Sequence, residues 1–257
     1  MVFDVLNFVG KISINTCNRV GNIGLFFQDA IVALFSTKPK LKKIIYQMYF
    51  VGVSSLTVIV LIGITVGAVL AVQSYEGLHR FSAERFIGPI IFISMTREFG
   101  PVLTAIMVIG RAGSAMTAEI GTMKITEQID ALQTLRIDVQ QYLIVPRIVG
   151  STIILPFLSI FCSLCGILAG FFMSVHVLGI NPEMYMESVR ENVMLSDITN
   201  GLIKAIFFGV LLSLICTYKG FITRGGAKGV GIATTQSVVM ANVTIFVADY
   251  ILTSLMF

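Results

Sequence analysis

Charge is scarce in this chain. Only 12% of its 257 residues are Asp, Glu, Lys or Arg, and 56% are hydrophobic. Ordinary soluble domains carry roughly 25% charged residues. No soluble core of this length could hide so much apolar surface, so the solvent is expected to be mostly lipid. No basic run is suited to nucleic acid; the net charge of +4 reads instead as a topology signal. The four cysteines, Cys17, Cys162, Cys165 and Cys216, make no disulfide framework. Cys162 and Cys165 form a C-x-x-C, but inside a long uncharged run, where small buried residues are expected rather than metal or redox chemistry. There is no G-x-x-x-x-G-K-[ST]: "GRAGSA" and "RGGAKGVG" are glycine-rich without the lysine-hydroxyl spacing. There is no H-E-x-x-H, and His79 and His176 are isolated, so neither a zinc site nor a Ser-His-Asp set is expected. Any energy from ATP must come from another chain. Asp4, Lys11 and Arg19 interrupt the first residues, so a cleaved signal is not expected.

Long hydrophobic runs fill the remainder. Val51–Val72 carries no charge and is long enough to cross ~30 Å of hydrocarbon at ~1.5 Å per residue. Five spans are expected, over about 51–74, 86–112, 142–176, 198–218 and 235–257. The second and third are longer than one perpendicular crossing needs, so they should tilt, project or break. Gly63 and Gly67 in span one, and Gly166 and Gly170 in span three, are small-xxx-small pairs that let helices approach closely.

The basic residues choose an orientation. Lys11, Arg19, Lys38, Lys40, Lys42 and Lys43 precede span one, Arg111, Lys124, Arg136 and Arg147 flank the loop after span two, and Lys219, Arg224 and Lys228 follow span four. The opposite loops hold only Arg80, Arg85 and Arg190. The positive-inside rule puts the N-terminus in the cytoplasm and the C-terminus outside. The first segment, 1–50, is too interrupted to span. "NIGLFFQDAIVALFS" reads as an amphipathic helix on the inner leaflet, with "KPKLKK" leading into span one. The fold class is therefore all-α integral membrane protein, an interfacial helix plus five spans.

Four ionisable residues fall at membrane depth: Arg97 and Glu98 in span two, Lys204 in span four, Asp249 in span five. Each needs a partner, a wet cavity or a task. Adjacent helix positions diverge by about 100°, so Arg97 and Glu98 cannot simply neutralise each other. Pro101 follows at once and invites a kink. Two readings stay open on these residues alone: a polar cavity, or ion pairs with Lys204 or Asp249 that fix helix register. A second constellation is "AEIGTMKITEQIDALQTLRID", Ala118–Asp138. Thr126 is expected as an N-cap with Glu127 in the first turn. Ile125, Ile129 and Leu132 give an apolar stripe on a short helix that could dock a soluble partner or rest on the bilayer. A stand-alone ion- or proton-coupled transporter using Glu98 and Asp249, and a scaffold that transports nothing, compete with a permease powered by a separate subunit.

The stretch "REFGPVLTAIMVIGRAGSAMTAEIGTMKITEQIDAL", with "AVQSY" at Ala71–Tyr75 and "GVGIATTQSVVMANVTIFVADYILTSLMF" at Gly229–Phe257, resembles the MlaE-type (YrbE-like) permeases. These are the membrane subunits of ABC lipid transporters that work with MCE-domain proteins. The resemblance implies a homodimer and a bacterial inner membrane, with a plastid inner envelope as the other host. It implies two cytoplasmic ATPase subunits that use ATP, with no cofactor in this chain, and an MCE ring on the outer side. A phospholipid cavity would open at the dimer interface, lined by Gln73, Arg97, Glu98 and Lys204. The ATPases would dock on a coupling helix that includes Glu119, Gly121, Thr122, Met123, Lys124, Thr126, Glu127, Gln128 and Asp130. After Glu127-Gln128 this chain reads Ile129-Asp130-Ala131, where relatives vary.

Overall fold

The structure is a computed structural model that describes residues 10, 21–33 and 41–256. Among these there are helices and no strand. In chain order they are α1 (21–33), α2 (Leu41–His79), α3 (Glu84–Ile125), α4 (Gln128–Thr134), α5 (Gln140–Val177), α6 (Pro182–Asn192), α7 (Leu195–Phe221) and α8 (Gly226–Met256). Five of them, α2, α3, α5, α7 and α8, are long and apolar enough to cross a membrane. The expected spans are all present, and each begins earlier than its apolar core alone suggested. The expectations for Lys11, Arg19, Lys38 and Lys40 lie outside the described residues.

The helix α2 packs along α5. The two small-residue pairs face each other across this contact. A Cβ on Gly63 would lie 2.5 Å from the Cys162 carbonyl oxygen, and one on Gly67 would run into the Gly166 carbonyl. The reciprocal glycines, Gly166 and Gly170, sit against the Gly63 and Gly67 carbonyls. Lipid tails give helices no hydrophobic reason to associate, so such close backbone approach is what holds them. α7 lies at the centre of the bundle, touching α3, α5 and α8, and its middle is the most buried of the spans. α8 is the least buried, with Val239, Val243, Phe246 and Tyr250 facing outward.

The long spans accommodate their length without breaking. α3 runs through two π-helical turns, Met95–Phe99 and Ile109–Gly113, and α5 opens with one at Gln140–Ile144. The first and third stand two residues before Pro101 and Pro146. A proline offers no amide to the preceding turn and its ring crowds the carbonyl four residues back. One wider turn just upstream lets the helix absorb this, so the expected kink at Pro101 becomes a π-turn. The carbonyl of Met95 then accepts both the Gly100 amide and the Ser163 hydroxyl, the latter at 2.9 Å.

α1 buries Phe26, Ala30 and Ala33 at helical spacing, and the Phe26 ring packs edge-on against Tyr218 of α7. The loop after α3 differs from the reading given above. α3 itself continues to Ile125, and Thr126 ends it, with its hydroxyl bonded to the Thr122 carbonyl at 2.8 Å. Glu127 takes a left-handed conformation, φ 60°, and only then does the short α4 begin. Thr126 is thus a helix terminator and not an N-cap, because the preceding apolar residues Ile120 and Met116 keep α3 packed on its neighbours past the span. Ile129 is fully buried among Ile120, Leu143 and Ile144 of this same chain. The apolar stripe therefore anchors α4 to its own bundle and leaves the polar face outward.

Candidate functional site

Asp197 and Lys204 are seven residues apart on α7, two turns, and so share one face. Gly201 lies between them, and a Cβ there would collide with the Thr96 carbonyl of α3. Its absence lets α3 and α7 meet backbone to backbone at the π-turn that carries Arg97 and Glu98. The two adjacent side chains then diverge, as expected, to different partners two turns apart. Arg97 Nε donates to Asp197 Oδ1 at 2.8 Å, and its Nη2 donates to the same oxygen. Lys204 Nζ donates to Glu98 Oε2 at 2.6 Å, to Asp249 Oδ1 at 3.1 Å and to Thr253 Oγ1 at 2.7 Å. An ammonium has three donors, and all three are used.

Two cations thus meet three carboxylates where α3, α7 and α8 come together. Burial within the cluster is uneven. Lys204 has no exposed surface and the Asp197 side chain 1%, while Arg97, Glu98 and Asp249 keep 29%, 36% and 21% of theirs. The inner members fix the arrangement; the outer three present a polar face on the span helices. Asp197 falls one residue before the fourth expected span, 198–218. It belongs to the cluster because it also starts α7, its Oδ2 accepting the Met194 amide at 2.9 Å. The signal that could have found it is its seven-residue spacing from Lys204. Thr253, four residues after Asp249, is the second member that sequence reasoning missed.

The structure brings Arg97, Glu98 and Lys204 together but not Gln73, which is exposed on α2 and has no hydrogen bond to the cluster among the described residues. Arg111 sits in the second π-turn of α3 and donates to Ser55 of α2 at 3.4 Å.

The residues expected to couple to an ATPase divide into inward and outward groups. Glu119 pairs with Arg147 Nη2 at 2.7 Å, and Arg147, 4% exposed, also donates from Nη1 to the Leu143 carbonyl at 2.6 Å. Gly121 packs against Thr223, and Met123 is half-buried. Lys124 is tied to Asp130 at 2.9 Å. Thr122, Thr126, Glu127, Gln128 and Asp130 are exposed and form the polar rim of this end of the molecule.

Among the described residues no group of His, Cys, Asp and Glu is placed to hold a metal ion. What the cluster offers is fixed charge in a low-dielectric bundle, able to bind a charged or zwitterionic group.

The chain is similar to known proteins along its length. The family model described as "Permease MlaE" matches residues 44–255. A probable ABC transporter permease protein of Rickettsia typhi is 40% identical over 257 residues, covering 100% of this chain and 99% of that protein. The intermembrane phospholipid transport system permease protein MlaE of Haemophilus influenzae is 37% identical over 262 residues, again 100% of this chain and 99% of the relative. The chloroplast protein TRIGALACTOSYLDIACYLGLYCEROL 1 of Arabidopsis thaliana is 37% identical over 229 residues, 89% of this chain and 65% of that protein. With five spans and a match along nearly its whole length, the chain is a multi-pass membrane protein that belongs to the MlaE permease family.

Proposed function

We propose that this chain is the permease subunit of an ABC transporter that moves phospholipid between membranes. It acts as a homodimer, takes ATP-derived energy from cytoplasmic ATPase subunits, and passes lipid to or from an MCE-domain ring on the outer side. Its role would be to maintain outer-membrane lipid asymmetry or to supply lipid between membranes. The distribution of basic residues supports an N-terminus in the cytoplasm and a C-terminus outside; α4 and the end of α3 would then face the ATPases and α6 the ring. The relative named for intermembrane phospholipid transport supports the cargo class.

The observation that carries the reading is the cluster of Arg97, Glu98, Asp197, Lys204 and Asp249 on the span helices α3, α7 and α8. Ionised groups there are costly and are kept for a task. The partly exposed Arg97 and Glu98 would line a head-group cavity completed by the second protomer. A guanidinium matches a phosphate in charge and in bidentate geometry, and Glu98 can accept from a head-group ammonium. Lys204 and Asp197 act as positioning residues that hold these two in place. Gln73 would join the cavity from α2 across the dimer interface. Glu119 would act through Arg147, linking the ATPase-facing end of α3 to α5. The direct docking surface would be the exposed Thr122, Thr126, Glu127, Gln128 and Asp130, with Gly121, Met123 and Lys124 shaping it from beneath.

The test is lipid transfer by the reconstituted complex carrying Arg97→Ala together with Glu98→Ala. Loss of transfer with assembly intact is expected. Assembly and transfer both at the parental level would refute the cavity role.

A further inference from the structure

A second feature lies beside the cluster on the outside of the bundle. α3, α5 and α7 leave a groove of about 260 Å³ between them, walled by Phe92 and Thr96 on α3, Ile160 and Leu164 on α5, and Ile198 and Leu202 on α7. Its rim is a ridge of Ile160, Leu164 and Leu168, spaced by one turn along α5 and 43%, 49% and 58% exposed. Thr96 and Ile198 immediately adjoin Arg97 and Asp197, so the groove runs along the back of the π-turn that carries the charged pair.

We infer that this groove holds one acyl chain of a membrane lipid, in a site separate from the charged cluster. The wall is almost wholly hydrocarbon, and two of its three hydroxyls, those of Thr96 and Ser163, are already engaged, leaving Ser159 as the third. Thr96 Oγ1 donates to the Phe92 carbonyl at 2.8 Å, and Ser163 Oγ to the Met95 carbonyl at 2.9 Å. Water needs 2–4 polar partners to stay in such a place, so an apolar occupant is favoured. The volume exceeds the ~150 Å³ cavity that takes up a benzene ring, which suits a flexible chain. All three walls belong to spans, so the groove opens onto lipid tails. An acyl chain there would pack against Thr96 and brace the turn that aims Arg97 and Glu98.

The experiment uses the full chain in its complex, in phosphatidylethanolamine vesicles doped with a phosphatidylethanolamine bearing a diazirine in its acyl chain. After irradiation, adducts are mapped by mass spectrometry. The inference predicts adducts on residues 159–168 and 198–202 several-fold above those on residues 53–61 of α2, a comparably exposed apolar face that includes Val53, Val58 and Leu61. Leu164→Trp or Ile160→Trp, checked for an unchanged melting midpoint, should bring the groove down to the level of the α2 face. Equal labelling of the two faces in the parental protein would overturn the site, leaving only ordinary annular lipid. Groove residues without adducts, together with a Leu164→Cys disulfide between copies, would overturn it in favour of a protein contact. Transfer measured in the same vesicles is read separately, so failure of the groove leaves the permease reading standing.

Discussion

Removing Lys204 should be more damaging than removing any of its partners. Its ammonium has no exposed surface and donates to Glu98, Asp249 and Thr253. Lys204→Ala leaves two carboxylates facing each other without a cation, and Thr253 without its donor. Breaking a buried pair by deleting one partner costs roughly 3–5 kcal/mol. At about 2–4 °C per kcal/mol for a chain of this size, the melting midpoint in mild detergent should fall by on the order of 10 °C. Glu98→Gln should cost much less, because Glu98 keeps 36% of its side-chain surface and Lys204 keeps Asp249. The cost of the lysine deletion is mostly uncompensated charge, so neutralising Lys204 together with its two carboxylates should recover it. A triple variant, Lys204→Met with Glu98→Gln and Asp249→Asn, should melt near the parental midpoint while failing to transfer lipid. The assay is the midpoint of each variant by tryptic protection or intrinsic fluorescence, with transfer measured alongside. The reasoning is refuted by a Lys204→Ala protein that melts normally, or by a triple variant no more stable than the single one.

Other expectations follow from the same geometry. Gly67→Leu should abolish accumulation of folded protein, since the Gly166 carbonyl occupies the space, whereas Gly77→Ala, with nothing within 4 Å, should be silent; membrane expression levels check both. In a double-mutant cycle, Arg97→Ala and Asp197→Ala should each cost stability but be strongly non-additive, because each single change breaks the same buried pair. Glu119→Gln should leave Arg147 buried without a countercharge, so ATPase activity should lose its stimulation by lipid while basal hydrolysis by the partner persists, read from phosphate release with and without phospholipid. Burial against α3 pushes the Tyr185 phenol up to about 12 from its ordinary value of about 10. Its folded value lies above its unfolded one, so its contribution is complete below about pH 10 and is lost as pH rises towards 12. Tyr185→Phe should remove that alkaline sensitivity in a midpoint-versus-pH series.

Much of the fold was legible because lipid imposes a simple rule. Uncharged runs such as Val51–Val72 had to be spans, and glycine pairs such as Gly63/Gly67 and Gly166/Gly170 had to be contact faces. The divergence of Arg97 and Glu98 followed from helical geometry, and the pairing of Glu98 with Lys204 and Asp249 was one of the two readings left open. Three things were not legible. Asp197 looked like loop because it sits at the first turn of α7, where an acidic residue is ordinary. The end of α3 was placed too early because Ala118–Lys124 is polar in composition, yet it is held helical by Met116 and Ile120 packing inward. The partners of Glu119 could not be read at all, since Arg147 is distant in sequence and only the approach of α5 to α3 brings them together.

The central claim is tested most directly by native mass spectrometry of the tagged chain, extracted from its own membrane in mild detergent. The account predicts two copies with two ATPase subunits, an MCE oligomer and an added mass matching a phospholipid, lost in the Arg97→Ala, Glu98→Ala protein. A chain recovered without ATPase and without lipid, under conditions that keep other membrane complexes whole, would contradict it and turn the cluster into an ion or proton site.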